Sequence, residues 1–132
     1  MSTRERGGRI SVVDVYSHQR WITVVETKVF QARSRDCLSE SEVEALITTL
    51  ACDPLCGAVI PGTGGLRKLR VATGGHGKRG AVRVIYYFYN ETMPVFLLTA
   101  YAKNRKTNLT PSERRDLSAL AELIVATYGG KP

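Results

Sequence analysis

The sequence predicts an α+β domain in which a small antiparallel sheet, of three to four strands plus an N-terminal strand, has helices packed on one face. Runs of β-branched and aromatic residues separated by glycine-rich turns indicate the strands. Two segments with apolar residues at helical spacing indicate amphipathic helices. Their order along the chain is strand, helix, three strands, helix. With 132 residues, the chain has room for one core.

The N-terminal part of the chain divides after residue 20. We expect residues 1–20 to form an extension, either loose or an added strand, and residues 21–132 to form the folded domain. The run ITVVETKVF at 22–30 is β-branched and apolar, which predicts the first strand. Ser39 and Glu42 have the spacing of a capping box, so SESEVEALITTLA at 39–51 predicts the first helix.

Three further strands and a second helix follow. LRKLRVA at 66–72, AVRVIYYFY at 81–89 and VFLLTAYA at 95–102 are joined by the turn-rich segments TGGHGKRG and NETMP. They predict neighbouring antiparallel strands. Thr110, Pro111 and Glu113 supply a cap, a proline at the first helical position and a capping-box partner. The last helix therefore begins at this point.

Basic residues are concentrated in one stretch of the chain. The net charge is +7, and residues 54–110 contain nine basic residues and one acid, whereas the other 75 residues sum to −1. A basic patch of this kind is typical of a protein that meets a polyanion.

Composition also excludes several classes of protein. No apolar run approaches the roughly 18 residues of a membrane helix, and MSTRERGG lacks the apolar core of a secretion signal. We therefore expect a cytoplasmic protein with no membrane partner. The odd set Cys37, Cys52 and Cys56, without a second Cys or His pair at zinc spacing, predicts buried reduced thiols and no metal site. We expect no cofactor.

Side chains alternate along a strand, which assigns the basic residues to faces. In the strand at 81–89, the wholly apolar and aromatic set is predicted to lie under the helices. Arg83 is then left on the uncovered face with Tyr87 and Tyr89.

The strands on either side of Arg83 are predicted to bring further cations to the same face. Lys68 and Arg70 share one face of the strand before it, and Lys103 continues the alternate series that begins at Val95 in the third strand. Four cations in one cleft repel each other unless they are solvated or paired. A polyanionic ligand would resolve this conflict.

Two kinds of phosphate binding can be weighed from the residues alone. GGHGKRG contains Gly77-Lys78, but it lacks the earlier glycine and the following Ser or Thr of a nucleotide-binding P-loop, and a strand follows it. This disfavours a nucleotide loop. A binding module is a second possibility, because basic strands interleaved with aromatic residues can hold a single nucleic-acid strand by charge and stacking.

A third possibility is metal-free cleavage of RNA. The 2′-hydroxyl would attack the phosphorus, arginine would neutralise the charge on the phosphorane, and a lysine among other cations could share proton transfer. The absence of paired acids argues against a two-metal nuclease. RNA would be the substrate because DNA has no internal nucleophile.

Four blocks of the chain, IPGTGGLRKLR, GKRGAVRVIYYFY, FLLTAYAKN and LTPSER, together resemble the RelE/ParE superfamily of bacterial toxins, and within it the RelE-like HigB toxins. The resemblance covers residues 20–128 and implies a small sheet with helices on one face. It also implies a ribosome-dependent mRNA endonuclease of a type II toxin–antitoxin system. The implied partners are the ribosome, mRNA and a cognate antitoxin carrying a helix-turn-helix DNA-binding domain.

The resemblance also implies roles for single residues. Arg83 corresponds to the family's phosphate-stabilising arginine, Lys68 and Arg70 to its basic pair on the preceding strand, and Lys103 to a second arginine after the third strand. These four are the predicted catalytic residues. RelE has a tyrosine beyond that point which residues 104–109 lack. The candidates for the general base are Lys68, Lys103, Tyr87 and Tyr101.

A second set of residues is predicted to bind RNA or the ribosome without taking part in the chemistry. It consists of Arg67, Lys78, Arg79, Tyr87, Tyr101, Arg105 and Lys106. Two other functions stay open. ParE-type members keep the fold and act on gyrase, so the chain could be a non-catalytic toxin that binds RNA or a protein target. It could also be a purely structural partner of another chain.

Overall fold

The computed structural model describes residues 21–73 and 80–129. Its elements, in chain order, are β1 (Val24–Glu26), α1 (Lys28–Ser34), α2 (Glu40–Cys52), β2 (Ala58–Val59), β3 (Leu66–Ala72), β4 (Ala81–Tyr87), β5 (Val95–Ala102) and α3 (Pro111–Ile124), which continues as a π-helical segment (Val125–Gly129). The strands form one sheet in the order β1-β5-β4-β3-β2. The predicted α+β class is confirmed.

The sheet is mixed rather than antiparallel throughout. β2, β3, β4 and β5 pair antiparallel, whereas β1 pairs parallel with β5 over Val24–Glu26. The strand predicted at 22–30 is wrong in its second half, because Thr27 caps a helix. The Thr27 hydroxyl accepts from the Phe30 amide and donates to the Leu97 carbonyl. The two-residue strand β2 was not predicted.

Both capping boxes are confirmed. The Ser39 hydroxyl accepts from the Glu42 amide while the Glu42 carboxylate accepts from the Ser39 amide, and Thr110 and Glu113 do the same at the start of α3. Each box satisfies two backbone donors that a helix start leaves without an intrahelical partner. The helix starts were predictable because they depend on neighbouring residues alone.

Helices cover both faces of the sheet, which differs from the predicted single covered face. α1 and α2 pack on the face that carries Val84, Tyr86 and Leu97. α3 packs on the opposite face, which we call the α3 face, where Ile85 and Leu98 meet its side chains. The difference arises because the α3 face is itself apolar at one end of the sheet, where Leu66, Tyr87 and Phe96 are buried. An apolar sheet end requires cover.

A β-bulge changes the faces of β5. Ile85 pairs with Thr99 but Tyr86 pairs with Leu97, so Leu98 is an extra residue. The alternate series predicted from Val95 to Lys103 is therefore interrupted. Val95 lies under α1 and α2, whereas Tyr101 lies on the α3 face. The bulge is what places Tyr101 on the same face as Arg83.

The cysteines differ from the prediction in their burial. None of Cys37, Cys52 and Cys56 is in a disulfide; Cys56 is exposed and the other two are half-buried. Cys56 lies in the segment between α2 and β2, which the Tyr86 hydroxyl ties to the sheet by donating to the Pro54 carbonyl and accepting from the Gly57 amide.

Candidate functional site

A row of three side chains crosses the α3 face beyond its apolar end. Arg70 pairs with Arg83 across β3 and β4, and Arg83 pairs with Tyr101 across β4 and β5. We call these three residues the Arg83 row. Directly opposed residues have Cβ atoms about 5 Å apart, and like charges at this distance destabilise a sheet. Arg70 and Arg83 thus form a site that an anion would stabilise.

Two polar atoms of the Arg83 row are buried without a hydrogen-bond partner. They are Arg83 Nε and the hydroxyl oxygen of Tyr101. Buried polar atoms in native proteins are nearly all hydrogen-bonded, and leaving one unpaired costs about 1–3 kcal/mol. Two such atoms on directly opposed residues indicate a site prepared for a ligand that supplies the missing partners.

The surroundings of the Tyr101 phenol raise its pKa and so favour its protonated form. Burial raises its pKa above the ordinary value, the nearby Arg83 charge lowers it and the Glu113 charge raises it, with a net upward shift. At neutral pH the hydroxyl is therefore a hydrogen-bond donor. Beside an arginine, it can give a proton to an oxygen on which negative charge develops.

An ion pair lies next to Tyr101. The Lys106 ammonium lies 5.2 Å from the centroid of the Tyr101 ring, and it bonds to the Glu113 carboxylate. The hydrogen bond from Lys106 is the main reason that the pKa of Glu113 is below its ordinary value, and the bond from the Thr110 amide adds to it. The sequence identified Glu113 only as a capping residue. The structure also places it at the site.

Arg114 was not predicted to belong to the site, although its spacing along the last helix could have indicated it. Its position is three residues before Leu117 and seven before Ala121, on the stripe of α3 that packs against the sheet. Arg114 Nε is buried without a hydrogen-bond partner. A basic residue on an otherwise apolar stripe, at the end of the helix that carries Glu113, adds a further cation to this end of the α3 face.

The remaining predicted catalytic lysines lie near the row but differ in exposure. Lys68 is half-buried and pairs with Ile85, two residues before Arg70, so alternation puts it on the α3 face. Lys103 is exposed just after β5, where its amide donates to the Ala81 carbonyl. Arg105 is also exposed in the turn that follows. Of these three cations, the register thus places Lys68 on the face of the Arg83 row.

Two residues predicted to bind RNA, Arg67 and Tyr87, are instead occupied by contacts within the protein. Arg67 belongs to the face opposite the row, and its guanidinium donates to the carbonyls of Leu55 and Gly57. Tyr87 is only 5% exposed beneath α3, and burial raises its pKa. Little of either side chain is available to a nucleic acid. Lys78 and Arg79, also predicted to bind RNA, lie outside the described residues.

Membrane-spanning helices and metal-binding clusters are both absent from the described residues. No helix there is long and apolar enough to cross a membrane. In residues 21–73 and 80–129, no three side chains of His, Cys, Asp or Glu come together in a way that could hold a metal ion.

The fold and the Arg83 row define a class: a small α+β protein that presents a basic, partly buried site for an anionic ligand. Comparison of the sequence with models of known protein families identifies one family. The model described as the RelE toxin of the RelE / RelB toxin-antitoxin system matches residues 22–130. The chain belongs to this family, and it is the toxin of a toxin–antitoxin system whose partner is an antitoxin. Toxins of this family typically inhibit translation.

Proposed function

We propose that this toxin is a HigB-like, ribosome-dependent endonuclease that cleaves mRNA without a metal ion, using the Arg83 row. The observation that carries the proposal is the pair of buried, unpartnered polar atoms on opposed residues, Arg83 Nε and the Tyr101 hydroxyl. A scissile phosphate with its leaving oxygen would supply an acceptor for each.

Cleavage would proceed by attack of the RNA's own 2′-hydroxyl on the adjacent phosphorus. The bond from phosphorus to the 5′-oxygen breaks as the 2′-oxygen bond forms, leaving a 2′,3′-cyclic phosphate and a 5′-hydroxyl. Arg83 and Arg70 would neutralise the charge on the phosphorane, because guanidinium groups stay protonated and bind two oxygens at once.

Tyr101 would protonate the departing 5′-oxygen. A phenol whose pKa is raised by burial holds its proton at neutral pH and is suited to the role of acid rather than base. The proton of the 2′-hydroxyl would pass to a base, for which Lys68 and Lys103 are the candidates around the row. Tyr87, buried under α3, is the least accessible of the four residues considered from the sequence.

The experiment compares wild type, Arg83→Ala and Arg115→Ala in growing cells, with the 5′ ends of mRNA mapped after induction. Arg115 is an exposed arginine of α3 and serves as the matched control. We expect cuts confined to translated codons in wild type and Arg115→Ala, and none in Arg83→Ala. Growth arrest with intact messages would instead support a non-catalytic toxin that acts on a protein such as gyrase.

Dependence on the ribosome is tested separately. Purified mRNA is incubated with the toxin in the presence and absence of ribosomes. Equal cleavage in both would contradict ribosome dependence and leave the nuclease assignment in place.

A further inference from the structure

A cleft of about 640 Å³ lies at the end of the sheet where β5 finishes, and residues of both faces of the sheet line it. Its floor includes Val82, Ala100 and Ala102, side chains on the face that α1 and α2 cover elsewhere. The two alanines leave space because α1 ends at Ser34, before it could cover this end of the sheet. The floor is therefore apolar and mostly buried: Val82 and Ala100 are 2% and 3% exposed, and Ala102 is half-buried.

The walls of the cleft carry more positive than negative charge. Arg33 and Asp36 come from the end of α1, and Arg105 and Lys106 come from the turn after β5. Neither Arg33 nor Arg105 has an ion-pair partner in the described part of the chain. Asp36 is the one acid among the described residues of the lining. A partly exposed apolar residue between arginines that have no ion-pair partner in the described residues suits a nucleotide, whose phosphate can reach the walls.

The cleft and the Arg83 row meet at the edge of β5. Tyr101 belongs to the row and also lines the cleft. Lys106, whose ammonium lies over the Tyr101 ring, lines the cleft as well. β1 pairs with β5 only over Val95–Leu97, so within the described residues no strand covers the outer edge of β5 at Tyr101. In the described part of the chain, the cleft and the Arg83 row are therefore continuous at Tyr101.

We propose that the cleft binds a nucleotide of the same single-stranded RNA that the Arg83 row cuts, one step outside the scissile bond. The inference rests on the proposed function and extends it, because it adds a subsite that the cleavage chemistry does not require. The base would lie against Ala102, the half-buried residue of the floor, and Arg33 and Arg105 would hold the phosphate of the nucleotide. Tyr101 would mark the point where the RNA crosses the sheet edge.

The test measures the affinity of the full chain, made inactive by Arg83→Ala, for single-stranded RNAs that range from a dinucleotide to about ten nucleotides. In this background we expect Arg33→Ala to weaken binding of the longer RNAs about tenfold and to leave the dinucleotide unchanged, because one charge-assisted contact is lost at a site only the longer RNA reaches. Arg35→Ala is the matched control, since Arg35 is exposed at the end of α1 but does not line this cleft.

The outcomes separate the subsite from the proposed function. If Arg33→Ala weakens the dinucleotide and the longer RNAs equally, or acts no more strongly than Arg35→Ala, the subsite is overturned and the cleavage site is unaffected. A separate outcome tests the proposed function: if Arg70→Ala leaves the binding of every RNA unchanged, the proposed function itself fails. If Arg33→Ala weakens binding of the antitoxin but not of RNA, the cleft is a protein interface and the proposal is wrong.

Discussion

At the scale of single residues, Tyr101 lies where the two proposed parts of the site meet. Its hydroxyl is buried without a partner, its ring contacts the Lys106 ammonium, and its backbone pairs with Arg83. A hydroxyl that served only to stabilise the fold would be hydrogen-bonded within the protein, because burial of an unpaired polar group is unfavourable. The structure therefore favours a role for this group toward a ligand.

The first prediction removes this hydroxyl. We expect Tyr101→Phe to reduce the rate of mRNA cleavage about 100-fold, as for loss of a general acid, with RNA affinity reduced by no more than about tenfold through the loss of one hydrogen bond. Thermal stability should be equal to or above that of wild type, because the lost hydroxyl makes no hydrogen bond in the protein. The measurements are cleavage rates with ribosomes present and thermal unfolding. Full activity in Tyr101→Phe would exclude this residue from proton transfer.

The second prediction concerns the Lys106–Glu113 pair. The pKa of Glu113 is lower in the folded protein than its ordinary value of 4.5. The charged form of Glu113 therefore stabilises the fold, and this contribution is fully present above pH 4.5. It is lost as the pH falls from 4.5 through the lower pKa that Glu113 has in the folded protein. The side chains are 32% and 41% exposed, so solvent screening limits the effect to about 0.5 kcal/mol.

The variant for this test is Glu113→Gln, which keeps an acceptor for the capping box but removes the charge. We expect it to be less stable than wild type at neutral pH and equal to wild type in acid. Denaturant unfolding over a pH series measures the difference. Glu122→Gln, an exposed change on the same helix, is the control. A stability difference that does not vary with pH would contradict the assignment to charge.

At the scale of elements, the segment between α2 and β3 depends on one buried tyrosine. Tyr86 is fully buried, and burial raises its pKa to about 12. Its hydroxyl bonds to Pro54 and Gly57, both at 2.8 Å. A Cβ at Gly57 would come within 2.8 Å of the Tyr86 ring. The segment thus packs directly on β4, and it leads into β3, which carries Lys68 and Arg70.

The third prediction follows from these bonds. We expect Tyr86→Phe to lower the free energy of unfolding by about 2 kcal/mol, because two hydrogen bonds are lost and the Gly57 amide is left buried without a partner. Tyr89→Phe is the matched control, since Tyr89 is 50% exposed. Chemical denaturation of both variants is the measurement. Equal stability of the two would show that the Tyr86 bonds are not needed to hold the segment.

The sequence predicted those elements whose signals are local. Both capping boxes and the three long strands were predictable because caps, turns and β-branched runs act over a few residues. The short helix α1 was not, because Thr27 becomes a cap through a contact with Leu97, a residue distant in the chain. The bulge at Leu98 was not predictable either, since it depends on register against β4.

The site was predictable to a similar degree. Alternation along β4 and β3 placed Arg83 and Arg70 on the same face, and the register shows in addition that they are directly opposed. Tyr101 was also predicted on the face of Arg83, and it lies there. The prediction used an alternate series of residues from Val95 that the bulge at Leu98 interrupts, so Val95 itself lies on the other face. Glu113 and Arg114 were not identified, because their place beside the sheet depends on which face α3 covers. That choice is made by packing of the whole domain.

At the scale of the whole molecule, the two ends of the α3 face have different roles. One end, around Leu66, Tyr87 and Phe96, is apolar and covered by α3, and the other carries the Arg83 row. The stable core and the cationic site are therefore parts of one sheet. This arrangement holds opposed arginines in place against their repulsion, because the strands that carry them are fixed by the buried end.

The last prediction concerns the salt dependence of RNA binding by this basic surface. Binding of single-stranded RNA releases about 0.7 counterions per phosphate contacted, so the slope of log affinity against log salt counts the contacts. In the inactive Arg83→Ala background, we expect Arg70→Ala to reduce that slope by about 0.7, since Arg70 would contact one phosphate. Arg115→Ala should leave it unchanged because Arg115 is exposed on α3 away from its sheet-packed stripe. Affinity titrations over a salt series are the measurement. Equal slopes for Arg70→Ala and Arg115→Ala would mean that the RNA is held by charge spread over the whole surface, and that the opposed arginines have no special part in binding it.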